Sequence, residues 1–571
     1  MGSQASLDAV TLMTERLRHR GPDGAGVWTQ PGVAIGHRRL SILDLSHAAD
    51  EPMVLGEHVL TYNGELYNYR ALRAELEGPW RSTGDTEVLL HLLARDGRAC
   101  LGALVGMFAF GCWDAGARRL LLARDRLGIK PLYYRVLPDG IAFASELKAL
   151  TVLGTPPIEA SAVRDYLFHG YVPAPKSIYR GICKLPAGHS LTWQDGRIEI
   201  EPYWRPSSAI VERGAADTVS ALDELLRKVI PAHTLSDVPV GVFLSGGIDS
   251  ALTAYYLEAP RTFSLGFDAR DRSELDAARS AAACLRTVHT DMVAPAADFE
   301  QALDAIPRLF DEPFADSAAW SNYLIAQFAR REVTVALSGE GGDEVFCGYP
   351  RYWSRIGARS NLVNRALATV LPPLTRLASS MQRHAYVGLP AFAAALGGMT
   401  AVQIDDLLAD PWRESGYDYL WCYRQFWLEG AKPLVQLRWL DLHTDLVEGL
   451  LTKVDRTSMA HSLEVRPPLL DHRLVEFMLS VDPAMLVDER RHRGKLLVRE
   501  LMGPRLPAGH LERPKSGFGL PVHRWLKAHP RLLREAVERL RARGVLRRAV
   551  GSEFRRAWSL LVLDRWFSAF A

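Results

Sequence analysis

The sequence has no apolar stretch as long as a membrane span, and its first residues, Met1-Gly2-Ser3-Gln4-Ala5, do not form the apolar core of a signal peptide. Cysteine is scarce, with six in 571 residues. Cys100, Cys112, Cys183, Cys284, Cys347 and Cys422 are widely spaced, with no Cys-x-x-Cys pair and no local histidine grouping, so nothing argues for zinc. They read as buried thiols of a protein kept in a reducing cytoplasm. An excess of one charge sign is also missing, since 68 Lys+Arg against 66 Asp+Glu leave a formal net charge of +2. That gives no electrostatic case for a nucleic-acid or anionic-membrane partner. No repeat or low-complexity tract occurs. A hydrophobic content of 48% with 23% charged residues is ordinary for a globular chain, and 571 residues exceed what one core serves. Two or more domains acting on small molecules are the expectation.

Residues 1–204 are dense in short β-like runs between turn signals: Val33-Ala-Ile-Gly36, Val59-Leu-Thr-Tyr62, Met107-Phe-Ala-Phe110, Arg119-Leu-Leu-Leu-Ala123, Pro131-Leu-Tyr-Tyr134 and Ile141-Ala-Phe-Ala144. Tyr69–Leu76 reads as a helix, and Asp85 is placed to begin another through Arg95. Antiparallel sheets with helices outside, an α+β domain, are expected. Residues 205–216 lose apolar periodicity and read as a linker. From 217 to 571 helices dominate, Leu440 to Met459 among them, with strands expected at Val240–Leu244, Thr262–Phe267 and Val333–Leu337. That alternation is the plan of a doubly wound α/β domain.

The stretch Val238-Pro-Val-Gly-Val-Phe-Leu-Ser-Gly-Gly-Ile-Asp-Ser250 carries the first chemical signal. An apolar strand that turns through two glycines into a helix start gathers backbone N–H groups at one point, with no Cβ in the way. Such a turn is a candidate phosphate cradle, and Asp249 is a candidate Mg²⁺ ligand. A second Gly-rich turn, Ser338-Gly-Glu-Gly-Gly-Asp-Glu-Val-Phe346, follows another strand and supplies Asp343 as a second metal candidate. Lys515, in Arg513-Pro-Lys-Ser-Gly-Phe-Gly519, could neutralise charge developing in phosphoryl transfer. Taken singly, each of these is also compatible with a structural loop.

Together with Arg18-His-Arg-Gly-Pro-Asp23, His37-Arg-Arg-Leu-Ser-Ile-Leu-Asp44, Tyr62-Asn-Gly-Glu-Leu-Tyr-Asn68, Gly84-Asp-Thr-Glu-Val88, Phe143-Ala-Ser-Glu146, Asp311-Glu-Pro-Phe-Ala-Asp-Ser317 and Lys453-Val-Asp-Arg-Thr-Ser-Met-Ala460, these motifs resemble the glutamine-hydrolysing asparagine synthetases of the B type over nearly the whole chain. The resemblance implies an N-terminal-nucleophile hydrolase-like sandwich that takes ammonia from glutamine. An ATP-pyrophosphatase-type α/β domain would follow, using ATP and Mg²⁺ to adenylate the aspartate side chain before amination. By resemblance, Ser245, Gly246, Gly247, Asp249 and Ser250 hold pyrophosphate and metal, with Leu244, Leu265, Ser338 and Gly339 around the adenylate. Glu340 supports aminolysis, and Lys515 stabilises the acyl-adenylate. In the amidase half Arg39 would pair with the glutamine carboxylate and Asp85 with its ammonium, while Asn63 and Gly64 form an oxyanion hole beside Glu65. As local structure, Asn63-Gly64 reads as a hairpin turn and Asp85 as a helix cap. The resemblance leaves a homodimer open.

The departures bear on function. The family places a catalytic Cys directly after the initiator Met, whereas here no Cys precedes Cys100. Ser6-Leu-Asp-Ala9 resembles the cap of the helix that follows that first strand, so roughly a dozen residues are expected ahead of it. Losing a central strand would cost on the order of 6–12 kcal/mol, against a whole-domain stability of about 5–15 kcal/mol. The comparison favours a start placed too late over loss of glutaminase function, and as the sequence stands an ammonia-dependent synthetase is expected. Cys347 replaces a more usual Gly and reads as packing. Pro467-Pro-Leu-Leu-Asp471 departs from the usual Pro-Phe-Leu-Asp and leaves the acceptor open. Three readings stand: asparagine synthesis, an amide ligase on another carboxylate as in polysaccharide, lasso-peptide or β-lactam pathways, and a non-catalytic scaffold. The last is disfavoured because Asp249 and Asp343 are both present.

Overall fold

The computed structural model describes residues 2, 5–267, 272–294, 299–354, 389–396, 398–513, 522–550 and 557–571. Strands are numbered in chain order. In the N-terminal half β1 (Gly24–Gln30) and β2 (Val33–Arg39) form an antiparallel ribbon. A six-stranded antiparallel sheet runs β11 (Arg197–Pro202), β10 (His189–Gln194), β6 (Arg119–Arg124), β5 (Gly106–Asp114), β4 (His58–Leu66), β3 (Met53–Leu55). A third sheet orders β8 (Gly140–Ala144), β7 (Tyr133–Leu137) and β9 (Ile182–Lys184). Strand β5 is buried on both faces along most of its length, as a strand between layers must be, and its phenylalanines and Trp113 feed two separate cores.

The C-terminal half is built on a parallel sheet ordered β14 (Val288–Val293), β13 (Arg261–Gly266), β12 (Val240–Phe243), β15 (Val335–Leu337), β16 (Glu464–Arg466). Its order reverses at β12, so the loops leaving the carboxyl ends of β12 and β15 open on one crevice, the usual ligand position in such sheets. Helices Ala215–Ala232 and Ile248–Tyr255 pack on this sheet through Leu222, Leu226, Ile230, Ala251 and Leu252.

Four local expectations change. Asn63-Gly64 is no hairpin turn: both residues lie within β4, opposite Ala109 and Phe108. A Cβ at Gly64 would sit 2.3 Å from the Met107 carbonyl oxygen, so the glycine permits a close strand approach. Asp85 is the first helical residue of Asp85–Asp96, with Gly84 at the cap position, and its carboxylate points back to β4. The stretch Leu440–Met459 breaks at Thr444 and proceeds as a π-helical segment, Asp445–Leu451, then an α-helix, Thr452–Met459. The helix Ala215–Ala232 starts inside the stretch read as linker.

The halves meet across buried ion pairs. Arg20 reaches Asp455 at 2.7 Å, Arg456 reaches Glu146 at 2.8 Å, Lys184 reaches Glu312 at 2.7 Å, and Lys130 reaches Glu464 at 3.0 Å.

Candidate active site

The parallel register Val240↔Val335, Gly241↔Ala336, Val242↔Leu337 sets β12 and β15 side by side, so the turns Ser245–Ser250 and Ser338–Asp343 emerge together. Glycine lets them touch. A Cβ at Gly339 would lie 2.8 Å from the Ser250 nitrogen, and one at Gly342 would lie 2.5 Å from the Asp249 carboxyl carbon. In the first turn the two serines lace the loop: the Ser245 N–H donates to Ser250 Oγ at 3.1 Å, and the Gly247 N–H donates to Ser245 Oγ at 3.2 Å. The helix that follows has no side-chain cap on Gly247, so its first-turn N–H groups face the crevice without a side-chain acceptor at the cap.

Asp249 and Asp343 converge on one cation, the ammonium of Lys495. Its Nζ lies 2.6 Å from Asp343 Oδ1 and donates a short hydrogen bond to Asp249 Oδ2. Burial would push the Lys495 ammonium down, but the two carboxylates outweigh it and hold the group well above its ordinary range. Two hard oxygen donors close enough to share one cation fit Mg²⁺, which takes one or two carboxylates and completes its shell with phosphate and water.

Glu340 follows on the same loop, its carboxyl raised by burial and by the nearby Asp343, Asp316 and Asp249, with Lys453 pulling the other way. Lys453 donates to Asp316 at 2.8 Å. Burial also pushes the Glu344 carboxyl up to about 8, with Asp343 adding to the shift, and Glu344 accepts from the Tyr349 hydroxyl at 2.6 Å. Leu244 and Leu265 are buried in hydrophobic clusters, so any contact they make with a nucleotide runs through backbone. Lys515 lies outside the described residues. Cys347 is fully buried, takes φ 62°, and its thiol is raised to about 11 by burial, consistent with packing.

In the N-terminal half a cavity of about 200 Å³ is walled by residues of β2, β4, β5 and β8 and by the helix Leu7–Glu15. Ser6 caps that helix by accepting from the Ala9 N–H at 3.1 Å. β2 and β8 are edge strands of their sheets. Arg39, Asn63, Gly64, Glu65 and Asp85 all line this cavity. The Arg39 guanidinium donates to the Ser46 carbonyl at 2.9 Å and to Asp50 at 3.1 Å. Asp85 accepts from the Tyr62 hydroxyl at 2.8 Å and the Leu66 N–H at 2.9 Å, yet burial still raises its carboxyl. Among the described residues, Asn63 Nδ2 and Glu65 Oε1 have no hydrogen-bond partner, and both are buried. None of the described cysteines is among the lining residues.

Two groups were not legible as site residues. Lys495 has only a weak sequence signal, a Gly-Lys pair after the basic run Arg490-Arg491-His492-Arg493. Glu51, whose carboxyl burial holds well above the usual range, also lines the cavity and stands in a Glu-Pro pair that suggests only a turn.

Residues 221–568 match the asparagine synthase family, and residues 2–204 match the glutamine amidotransferase domain family. The chain is 31% identical to asparagine synthetase [glutamine-hydrolyzing] 1 of Bacillus subtilis over 548 residues, covering 91% of this chain and 85% of that protein. It is 33% identical over 559 residues to a putative asparagine synthetase [glutamine-hydrolyzing] of Mycobacterium tuberculosis, with the same coverages. A more distant relative, amidase chyE of Penicillium rubens, is 27% identical over 605 residues, covering 91% of this chain and 87% of that protein. With a glutamine amidotransferase domain ahead of an asparagine synthase domain, the chain belongs to the asparagine synthase family of ATP-dependent amidotransferase ligases.

Proposed function

We propose that the chain adenylates the side-chain carboxylate of aspartate and aminates it to asparagine, in a synthetase domain spanning 217–571 joined through a linker, 205–216, to an amidotransferase domain spanning 1–204. What supports this reading best is the convergence of Asp249 and Asp343 on a single cation beside two glycine turns. Ser245, Gly246, Gly247 and Ser250 would hold the β- and γ-phosphates of ATP, with Ser338 and Gly339 beside the adenylate. Asp249 and Asp343 would hold Mg²⁺, which when bound neutralises charge on the phosphates. Lys495 would then leave its place between the carboxylates and turn its ammonium to the departing pyrophosphate, while Lys515 would stabilise the acyl-adenylate.

The substrate carboxylate oxygen attacks the α-phosphorus, and pyrophosphate leaves. Ammonia attacks the acyl carbon, and AMP departs with the original carboxylate oxygen. Glu340, deprotonated at the moment of attack, takes the proton that ammonium must shed; its burial near three carboxylates makes it the better base. In the N-terminal cavity Arg39 and Asp85 would hold the glutamine α-carboxylate and α-ammonium, and Asn63 with Gly64 its amide oxygen. A second acceptor has one observation in its favour. Leu470, in the Pro468–Leu470 turn, presses on Gly341, where a Cβ would lie 2.2 Å from it, so the unusual Pro-Pro-Leu-Leu run shapes the loop carrying Glu340. Pyrophosphate release with ATP, Mg²⁺ and ammonium over a panel of carboxylic acids tests both: aspartate alone supports the first reading, another acid the second, and release with none rejects adenylation.

A further inference from the structure

We propose that the acid activated in the crevice carries an ammonium group, and that Asp445 holds this group together with Asp316 and the hydroxyl of Tyr171. This rests on the reading that the crevice adenylates a carboxylic acid, and it names the residues by which that acid is selected.

The charges beyond Glu340 do not balance. Arg351 is engaged by Asp441, donating through Nε at 3.1 Å and Nη2 at 2.8 Å, and Lys453 is engaged by Asp316. Asp445 has these same four groups as its electrostatic neighbours, yet it has no hydrogen-bond or ion-pair partner among the described residues. It is only partly exposed, and burial holds its carboxyl up at about 6. A carboxylate drawn out of water without a partner is costly, so the position favours a cation. Thr444 leaves helical geometry at φ −128° and ψ −82°, and Asp445 opens the π-helical segment, so its side chain is aimed out of the register of the preceding helix. Asp445, Gly449 and Lys453 recur every fourth residue and share one side of the chain there.

Tyr171 supplies an independent sign of a ligand. It is 5% exposed, and its hydroxyl is buried with no hydrogen-bond partner among the described residues. Its ring and Asp445 meet over Gly449, whose Cβ would lie 3.3 Å from Tyr171 Cε1 and 3.2 Å from Asp445 Oδ1. The Ala315 N–H donates to the Gly170 carbonyl at 2.7 Å, which ties the loop of Asp316 to that of Tyr171. Asp316 is within reach of solvent, its side chain 38% exposed, with one oxygen on the Ala318 N–H and the other on Lys453. A carboxylate oxygen accepts more than one hydrogen bond, so Asp316 can take a further donor. An ammonium offers three N–H groups, one each for Asp445, Asp316 and the Tyr171 oxygen, two of them charge-assisted. Lys453 lies in the field of both Glu340 and Asp445, which sets the ammonium beside the loop that meets the acyl carbon.

Aspartate and succinate, which share the reacting carboxylate and differ in the ammonium, test this in the full chain. With ATP, Mg²⁺ and ammonium, wild-type pyrophosphate release should favour aspartate by about a hundredfold in kcat/KM. In Asp445→Asn that ratio should fall about tenfold through the KM for aspartate, with the KM for ATP unmoved, and Asp445→Glu should restore most of it. Melting curves check that both variants fold. Equal use of the two acids by the wild type, or an unchanged ratio in Asp445→Asn, overturns the proposal. Calorimetric titration with aspartate, in the presence of Mg²⁺ and a non-hydrolysable ATP analogue, separates it from the adenylation reading. Aspartate binding that Asp445→Asn weakens, without pyrophosphate release, sustains ammonium recognition and rejects adenylation. Absence of aspartate binding rejects the proposal, while release with another acid leaves adenylation standing.

Discussion

Lys495 and the two carboxylates it bridges decide what the crevice can hold. Removing the ammonium leaves Asp249 and Asp343 facing each other across a partly buried gap, and breaking a buried pair in this way costs about 3–5 kcal/mol. Lys495→Met should therefore melt lower than wild type without metal and recover more of its melting temperature on addition of Mg²⁺; equal metal responses in the two proteins would argue against a shared cation position. The glycines carry a second expectation. Gly342→Ala drives a methyl group into the Asp249 carboxyl at 2.5 Å, so the turns must separate. A loss of at least tenfold in kcat/KM for ATP, equivalent to about 1.4 kcal/mol, is expected in steady-state pyrophosphate release. The glycine turns and their carboxylates were readable from the sequence because strand, glycine pair and acid are contiguous. Lys495 was not, since it reaches Asp249 across 246 residues of chain and only the fold brings them together. The environment of Glu340 was hidden in part, because burial and the sequence-distant Lys453, Asp316 and Asp249 set it together with its neighbour Asp343.

At the level of elements, strands with clear period and turn boundaries, such as those around Met107–Phe110 and Arg119–Ala123, fall where their patterns put them. Asn63-Gly64 shows where pattern fails: the pair has turn chemistry, yet it sits in mid-strand because the glycine is needed beneath Met107 and Phe108. Buried histidines on several elements set the acid response. Burial lowers His37, His169, His233 and His443 from the ordinary 6.5 to about 4, His37 further lowered by Arg39. The unfolded chain binds protons that the folded chain refuses between pH 6.5 and 4, so stability is lost as pH falls through that window. Each such group is worth at most about 3 kcal/mol by the size of its shift. His233, whose Nδ1 lies 2.9 Å from the Val229 carbonyl, is a suitable probe. In His233→Gln the proton uptake on unfolding, measured from the pH dependence of the melting free energy, should fall by about one near pH 5. An unchanged slope would show that His233 is protonated in the fold.

For the whole molecule the interface between halves is the distinctive feature. Arg456 sits between Glu146 at 2.8 Å and Asp311 at 2.7 Å, all three nearly inaccessible to solvent, so it joins a carboxylate of the N-terminal half, which Arg20 and Lys148 also contact, to one of the C-terminal half. Arg456→Met should destabilise by about 3–5 kcal/mol and uncouple the halves, turning one calorimetric transition into two. A single undiminished transition would show that the network does not join them.

The central claim is that this crevice makes an acyl-adenylate, and isotope transfer tests it most directly. With ATP, Mg²⁺, ammonium and aspartate labelled with ¹⁸O in the side-chain carboxylate, mass spectrometry of the nucleotide product should find one ¹⁸O in AMP for each amide formed. Unlabelled AMP, or ADP in place of AMP, would contradict the account.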